Sequence, residues 1–161
     1  MTSSEYNKLV DMHADGLYRF MLKKSQDEDL AKDLVQETFS KVWVKRDNVD
    51  FEKGKSYLFS TAFNTFIDHT RRQSKFGVYD EEKLDRPQES HHQSDLKDII
   101  NQALIKLPDL QKTVLLLRDY EGYDYAEIGK ITNLSESQVK VYIFRARKEM
   151  KKYLVSIDLI I

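Results

Sequence analysis

The stretch from Asp124 to Lys148 reads DYAEIGKITNLSESQVKVYIFRARK and holds two helix starts separated by one tight turn. Asp124, with Glu127 three residues on, predicts the start of a short helix carrying Ala126, Ile128, Gly129 and Ile131. A capping oxygen at that place accepts from amide groups that every helix start leaves unpaired. Thr132-Asn133-Leu134 predicts a tight turn, because asparagine tolerates the left-handed backbone such turns need. Ser135 and Gln138 repeat the capping pattern and open a long helix running to about Tyr153. In that helix Val139, Ile143, Ala146 and Met150 recur at helical intervals, so they form one stripe that must pack inward. At about 100° per residue, Ser137, Lys140, Val141, Phe144, Arg145 and Lys148 then face away from the core.

This is a helix-turn-helix pattern. An outward-basic second helix of this kind suits the roughly 12 Å major groove of duplex DNA, where arginine and lysine meet guanine edges and apolar groups meet thymine methyls. A basic helix face alone is ordinarily a solvated surface. Here the short partner helix, the turn, the cap and the outward Phe144 and Val141 all agree, which favours DNA reading. Arg147, Lys151 and Lys152 lie further along and suit phosphate contacts, which set affinity and salt dependence rather than sequence choice.

Upstream, Asp95 to Lys106 predicts one helix, ended by Leu107-Pro108. A second starts at Pro108-Asp109, with proline at an allowed first-turn place, and continues through Val114, Leu115 and Leu117 to about Tyr120, with Gly122 as its C-terminal cap. Before these, Phe76 to Ser94 has no apolar period and carries Asp80, Glu81, Glu82, Asp85 and Glu89 against only Lys83 and Arg86, so it reads as an acidic polar linker. The expected organisation is all-α: a small helical domain over residues 1–75, a flexible linker over 76–94, and a second small helical domain over 95–161 that holds the helix-turn-helix. Little alternation of Val, Ile and Thr occurs anywhere, which argues against sheet.

In the first domain, Leu9, Met12, Leu17, Phe20 and Met21 predict a helix or helix pair interrupted around Asp15 and Gly16. Ser25 and Glu28 have capping-box spacing ahead of Leu30, Leu34, Val35, Phe39, Val42 and Trp43 at helical intervals. A polar loop is expected from Lys45 to Ser56, then a third helix from about Tyr57 to Gln73 with Leu58, Ala62, Thr65 and Phe66 inward and Arg71 and Arg72 in its last turn.

With 40% hydrophobic and 33% charged residues among 161, the chain can bury a core beneath a heavily charged surface. The net charge of −1 hides an uneven distribution: beyond Ser135, Lys140, Arg145, Arg147, Lys148, Lys151 and Lys152 outnumber Glu136, Glu149 and Asp158. There is no cysteine, which excludes disulfides, thiolate metal sites and cysteine nucleophiles and fits a reducing compartment. The N-terminus lacks a signal-peptide core, and the apolar cluster Leu154 to Ile161 is far shorter than the roughly 20 residues a membrane span needs. A soluble, cytoplasmic protein is expected.

Taken together, these pieces resemble the extracytoplasmic-function (ECF) group of bacterial sigma factors, the smallest members of the sigma-70 family. In the first half the resemblance rests on Asp33-Leu34-Val35-Gln36-Glu37-Thr38-Phe39, Lys41-Val42-Trp43, Tyr57-Leu58-Phe59, Ala62-Phe63-Asn64, Asp68 and Arg71-Arg72. In the second it rests on Leu107-Pro108, Val114 to Arg118, Gly122-Tyr123, Tyr125 to Gly129, Val139-Lys140 and Phe144 to Arg147. Their order, spacing and separation by a linker make the combination specific.

The resemblance implies a sigma region 2 domain followed by a region 4 domain. Its partners would be core RNA polymerase, through the β′ clamp helices and the β flap, promoter DNA, and an anti-sigma factor, often a membrane protein's cytoplasmic domain. No cofactor, metal or small-molecule substrate is implied. Asp33, Gln36, Glu37, Phe39 and Trp43 would form the polymerase-docking surface, with the carboxylates and amide suited to a charged partner. The minus-ten element would be met by Phe51, Lys53, Lys55, Tyr57, Asn64, Arg71 and Arg72, since single-stranded DNA needs aromatic faces and backbone-tracking cations. Phe59 and Phe63 are further aromatic candidates there or ordinary core residues. Asn64 matches a position near a flipped-out base, where an amide both donates and accepts. Tyr57 stands where the family usually has tryptophan, and the loop before it is short. The minus-thirty-five readers fall on Lys140, Val141, Phe144 and Arg145, on the face that helical geometry selects independently.

Two other readings stand beside this one. A helix-turn-helix regulator with an N-terminal sensing domain would bind duplex DNA without polymerase. An enzyme would have to use His13, His69, His91 and His92, but His91 and His92 are adjacent in the linker with no ligand pair at helical spacing, and no phosphate-binding glycine loop occurs. The apolar tail from Leu154 either packs on the last domain or helps bind a partner.

Overall fold

The computed structural model describes residues 1–75 and 95–158; the linker and the last residues of the apolar tail lie outside them. The described residues form helices joined by turns, with no strand among them. The first unit comprises α1 (Ser3–Ser25), α2 (Glu28–Val44) and α3 (Gly54–Lys75). The second comprises α4 (Asp95–Ile105), α5 (Asp109–Leu115), α6 (Tyr125–Thr132) and α7 (Glu136–Asp158), with a π-helical turn from Leu116 to Tyr120 continuing α5.

α1 is one unbroken helix rather than an interrupted pair. Glycine in a helix costs about 1 kcal/mol against alanine, but Leu9, Leu17, Phe20 and Met21 are all buried on one face, and that packing carries the chain through Gly16. Its start is held by a reciprocal box between Thr2 and Glu5. α2 is capped by Asp27, whose side chain accepts from the Leu30 amide, and not by Ser25, which ends α1. The chain reverses at Gln26 with φ 57°, which displaces the cap two residues downstream of the expected serine. The expected polar loop contains two short 3₁₀ turns, Arg46–Asn48 and Phe51–Lys53, and α3 begins at Gly54, ahead of Tyr57. There Leu9 packs against the bare α-carbon: a Cβ on Gly54 would stand 2.9 Å from a Leu9 methyl.

In the second unit the local signals match the backbone closely. Asp124 accepts from the Glu127 amide, Asn133 takes φ 60°, and Ser135 and Gln138 bond reciprocally. Val139, Ile143 and Ala146 are buried, with Met150 partly so. Each fully buried branched aliphatic side chain contributes about 1.5–3 kcal/mol, enough to hold α7 against α5 and α6 with its opposite face outward.

The two units are packed together. α3 lies along α6, and α1 touches α5. Phe20, Phe59 and Tyr123 form a chain of rings with centroids 5.6 and 5.4 Å apart that crosses from α1 through α3 into the second unit. Phe59 and Phe63 are 1% and 4% exposed, so both belong to the core and neither can stack on a base. Of the two readings open for these residues, the structure takes the core one, because their side of α3 faces α1 and the second unit.

Candidate nucleic-acid and polymerase interface

The outward face of α7 carries Ser137, Lys140, Val141, Phe144, Arg145 and Lys148, all exposed. Phe144 at 69% exposure is the most open aromatic described. A large apolar ring held in water beside cations, with the opposite stripe buried, is a surface built to be covered. A shallow cleft of ≈ 680 Å³ lies here, with Tyr125, Lys140, Phe144, Arg147 and Lys148 among its walls. Tyr125 is an addition to the residues expected from sequence. It sits at the start of α6, with the Arg118 guanidinium 4.7 Å and the Lys140 ammonium 5.6 Å from its ring. Only the folding of α6 against α7 brings it to this face.

The three phosphate candidates differ in setting. Lys151 is exposed, and Lys152 lies 3.9 Å from Glu149. Arg147 donates twice to Asp119 of the π-helical turn, at 2.6 and 3.3 Å, and this hydrogen bonding raises its already high pKa. In the free protein its guanidinium therefore braces α7 against that turn.

In the first unit, Asp33, Gln36 and Glu37 project from the exposed face of α2, and Glu37 pairs with Lys41 at 3.3 Å. Phe39 is 8% exposed and lines a groove of ≈ 470 Å³ between α1 and α2 with Gln36, Val35, Tyr6, Val10 and Tyr18. The α1 wall of this groove carries no motif that marks it in sequence. Trp43 is 38% exposed, with Tyr6 edge-on at 4.9 Å and the Arg46 guanidinium 3.7 Å from its ring. It thus stands at the surface as a braced aromatic rather than in the core.

The minus-ten candidates do not form one patch. Tyr57 and Asn64 share a cleft of ≈ 500 Å³ with Lys41, Lys45, Ser60 and Thr61. Arg71, paired with Asp68 at 3.1 Å, and Arg72 lie further along α3. Phe51 is half-buried beneath Lys8, and Lys53 is exposed. Lys55 points toward the second unit, where its ammonium reaches the Glu121 carbonyl at 3.4 Å and lies 4.4 Å from the Tyr123 ring.

Comparison with known proteins identifies the family and a shared fold. The family model described as sigma-70 region 2 matches residues 9–76, and that described as sigma-70, region 4 matches residues 97–150. The chain is 31% identical over 150 residues to the ECF RNA polymerase sigma factor SigM of Bacillus subtilis (strain 168), covering 90% of this chain and 92% of that protein. It is 32% identical to the RNA polymerase sigma factor SigV of the same organism, covering 91% and 89%. Among solved structures, the fold is similar to the sigma factor RpoE in complex with the anti-sigma factor NepR from Bartonella quintana. That match has a TM-score of 0.76 and 24% identity, and covers 92% of this chain and 96% of the other. CnrH in complex with the cytosolic domain of CnrY matches with a TM-score of 0.71 and 22% identity, covering 94% and 88%.

Proposed function

Because this chain belongs to the ECF RNA polymerase sigma factors of the sigma-70 family, we propose that its two helical units divide promoter recognition between them. The observation that carries this reading is the face of α7: Lys140, Val141, Phe144 and Arg145 are exposed together while Val139, Ile143 and Ala146 lock the opposite side. That face reads the minus-thirty-five element in the major groove, with Ser137 and Lys148 at its edges and Arg147, Lys151 and Lys152 toward the phosphates. The cleft at Tyr57 and Asn64 receives an unstacked base of the minus-ten element, and Phe51, Lys53, Lys55, Arg71 and Arg72, which lie outside the cleft, meet the adjoining strand. Asp33, Gln36, Glu37, Phe39 and Trp43 dock on the polymerase clamp helices, and the groove between α1 and α2 extends that surface.

In this reading residues 1–75 are the region 2 domain, 76–94 the linker and 95–161 the region 4 domain, which also docks on the β flap. The chain supplies no catalysis; its relatives are transcription-initiation factors, and the bond-making belongs to the polymerase. No helix among the described residues is long and apolar enough to cross a membrane, which accords with work on cytoplasmic DNA. One of the two similar structures is of a sigma factor held by an anti-sigma factor, the other of CnrH held by the cytosolic domain of CnrY, and we assign this chain control by an anti-sigma factor.

Run-off transcription on a randomised promoter library, with purified core polymerase, tests the assignment. The expected outcome is initiation from a subset of sequences sharing two separated elements, with weak DNA binding by the chain alone. A tight, specific gel shift without polymerase and no initiation with it would favour an ordinary regulator.

A further inference from the structure

Lys41 reaches the cleft of Tyr57 and Asn64 from the neighbouring helix. Thr38 and Val42 of α2 are fully buried, α2 packs on α3, and Lys41 stands beside them at the exposed edge, on the cleft wall. Its ammonium donates to the Thr65 hydroxyl at 3.1 Å and lies 3.3 Å from the Glu37 carboxylate. Thr65 lines the cleft while only 2% exposed, and its own hydroxyl proton goes to the Thr61 carbonyl at 2.7 Å. Towards Lys41 that hydroxyl can therefore only accept. A lysine head ordinarily wanders among many rotamers. Here a buried hydroxyl and a carboxylate one turn away hold it at the cleft. An ammonium has three protons and no lone pair. Thr65 and Glu37 take two, which leaves one donor for whatever enters the cleft.

We propose that Lys41 determines base choice in this cleft by donating to a carbonyl oxygen of the unstacked minus-ten base. The inference rests on the cleft receiving that base, as given under Proposed function. Thymine, cytosine and guanine each carry such an oxygen, whereas adenine carries an amino group and none. Asn64 can donate or accept and so tolerates either kind of edge, but Lys41 can only donate. An adenine amino group brought against Lys41 sets donor against donor beside a full positive charge. The expected discrimination is about tenfold, the size of one hydrogen bond from a charged donor. Glu37 also belongs to the polymerase-docking face, so a clamp cation that engages it frees a second Lys41 proton for the strand. Holoenzyme is therefore the state in which the choice is read. A phosphate contact from Lys41 would be blind to the base, and that is the contrary outcome of the test.

The test reconstitutes holoenzyme from the full chain and core polymerase. Fluorescence anisotropy then measures its affinity for single-stranded oligonucleotides carrying the minus-ten element selected from the promoter library. Each position is occupied in turn by the four bases and by an abasic sugar. The cleft position is the one where the abasic sugar weakens binding and where Asn64→Ala removes that effect. There the unsubstituted holoenzyme should favour a carbonyl base over adenine by about tenfold. Lys41→Met should abolish this preference at that position alone. Lys41→Gln, which can also accept, should admit adenine, and Lys41→Arg, another donor-only cation, should keep the preference. Equal losses for all four bases in Lys41→Met would make Lys41 a phosphate contact, and an unchanged preference would make it a bystander. Either result overturns the proposal while the cleft keeps its base, as does a preference for adenine in the unsubstituted holoenzyme. If no abasic-sensitive position answers to Asn64→Ala, the cleft reading falls and this inference falls with it.

Discussion

Arg147 and Asp119 form a two-pronged ion pair, with the guanidinium of α7 donating at 2.6 and 3.3 Å to a carboxylate on the π-helical turn 28 residues earlier. The pair is half-exposed, so solvent screening limits it to about 0.2–1 kcal/mol of stability. Its larger consequence is for DNA, because a guanidinium engaged by aspartate has to leave it, or share it, to meet a phosphate. Asp119→Ala should lower the melting temperature slightly yet strengthen holoenzyme binding at low salt. The slope of log affinity against log salt should steepen by about 0.9 if one phosphate contact is gained. An unchanged slope would mean that Arg147 serves only as a brace.

Arg145 and Lys151 are both exposed cations on α7 but lie on different parts of it. Arg145→Ala should cost about 1–3 kcal/mol at particular base pairs of the minus-thirty-five element and relax choice there. Lys151→Ala should weaken all sequences alike. Binding or initiation measured over a promoter library distinguishes the two, and equal, sequence-blind losses would remove Arg145 from the reading face.

Gly129 fits under the turn that joins α6 to α7. A Cβ there would stand 2.7 Å from the Leu134 carbonyl oxygen, which is backbone and cannot swing aside. Gly129→Ala should therefore destabilise the second unit by about 1–3 kcal/mol, in the range of strained core overpacking, and tilt α7 away from its register. Thermal unfolding would show the loss, and discrimination at the minus-thirty-five element should fall with it. The comparable change at Gly16 meets the far ends of the Glu121 and Arg19 side chains rather than backbone and should cost less stability.

Burial lowers the Lys24 pKa from the ordinary lysine value to about 8, with Lys112 adding to the effect and Asp109 opposing it. The folded chain thus binds this proton less well than the unfolded chain. The Lys24 charge costs folding stability in full below about pH 8, and that cost is relieved as the pH rises from 8 toward the ordinary lysine range. Thermal unfolding should show stability rising with pH above 8, and Lys24→Met should abolish that dependence while keeping the packing.

Several of these features were legible in the sequence because they are local. Asp124, Asn133 and Ser135 impose their caps and turn through bonds to amides a few residues away, and the Val139 to Met150 stripe follows from helical pitch alone. The exposed face of α7 follows from the same pitch. Where local signals competed, they misled: Gly16 weakens a helix intrinsically, yet the Leu17, Phe20 and Met21 packing runs through it, and Ser25 has cap chemistry while the reversal at Gln26 hands the cap to Asp27.

Phe59 and Phe63 show where local reading stops. An aromatic residue at helical spacing is equally suited to a core or to a base, and only the neighbour across the interface decides between them. By itself the sequence determined the all-helical class, the caps and turn of the helix-turn-helix and the side of α7 turned to solvent, since each depends on contacts within a turn or two of chain. Tertiary structure alone decided that Phe59 meets Tyr123, that Lys24 is buried against Asp109 and that Lys55 reaches Glu121. Those partners lie more than sixty residues apart, and periodicity along one helix carries no information about which distant surface will cover it.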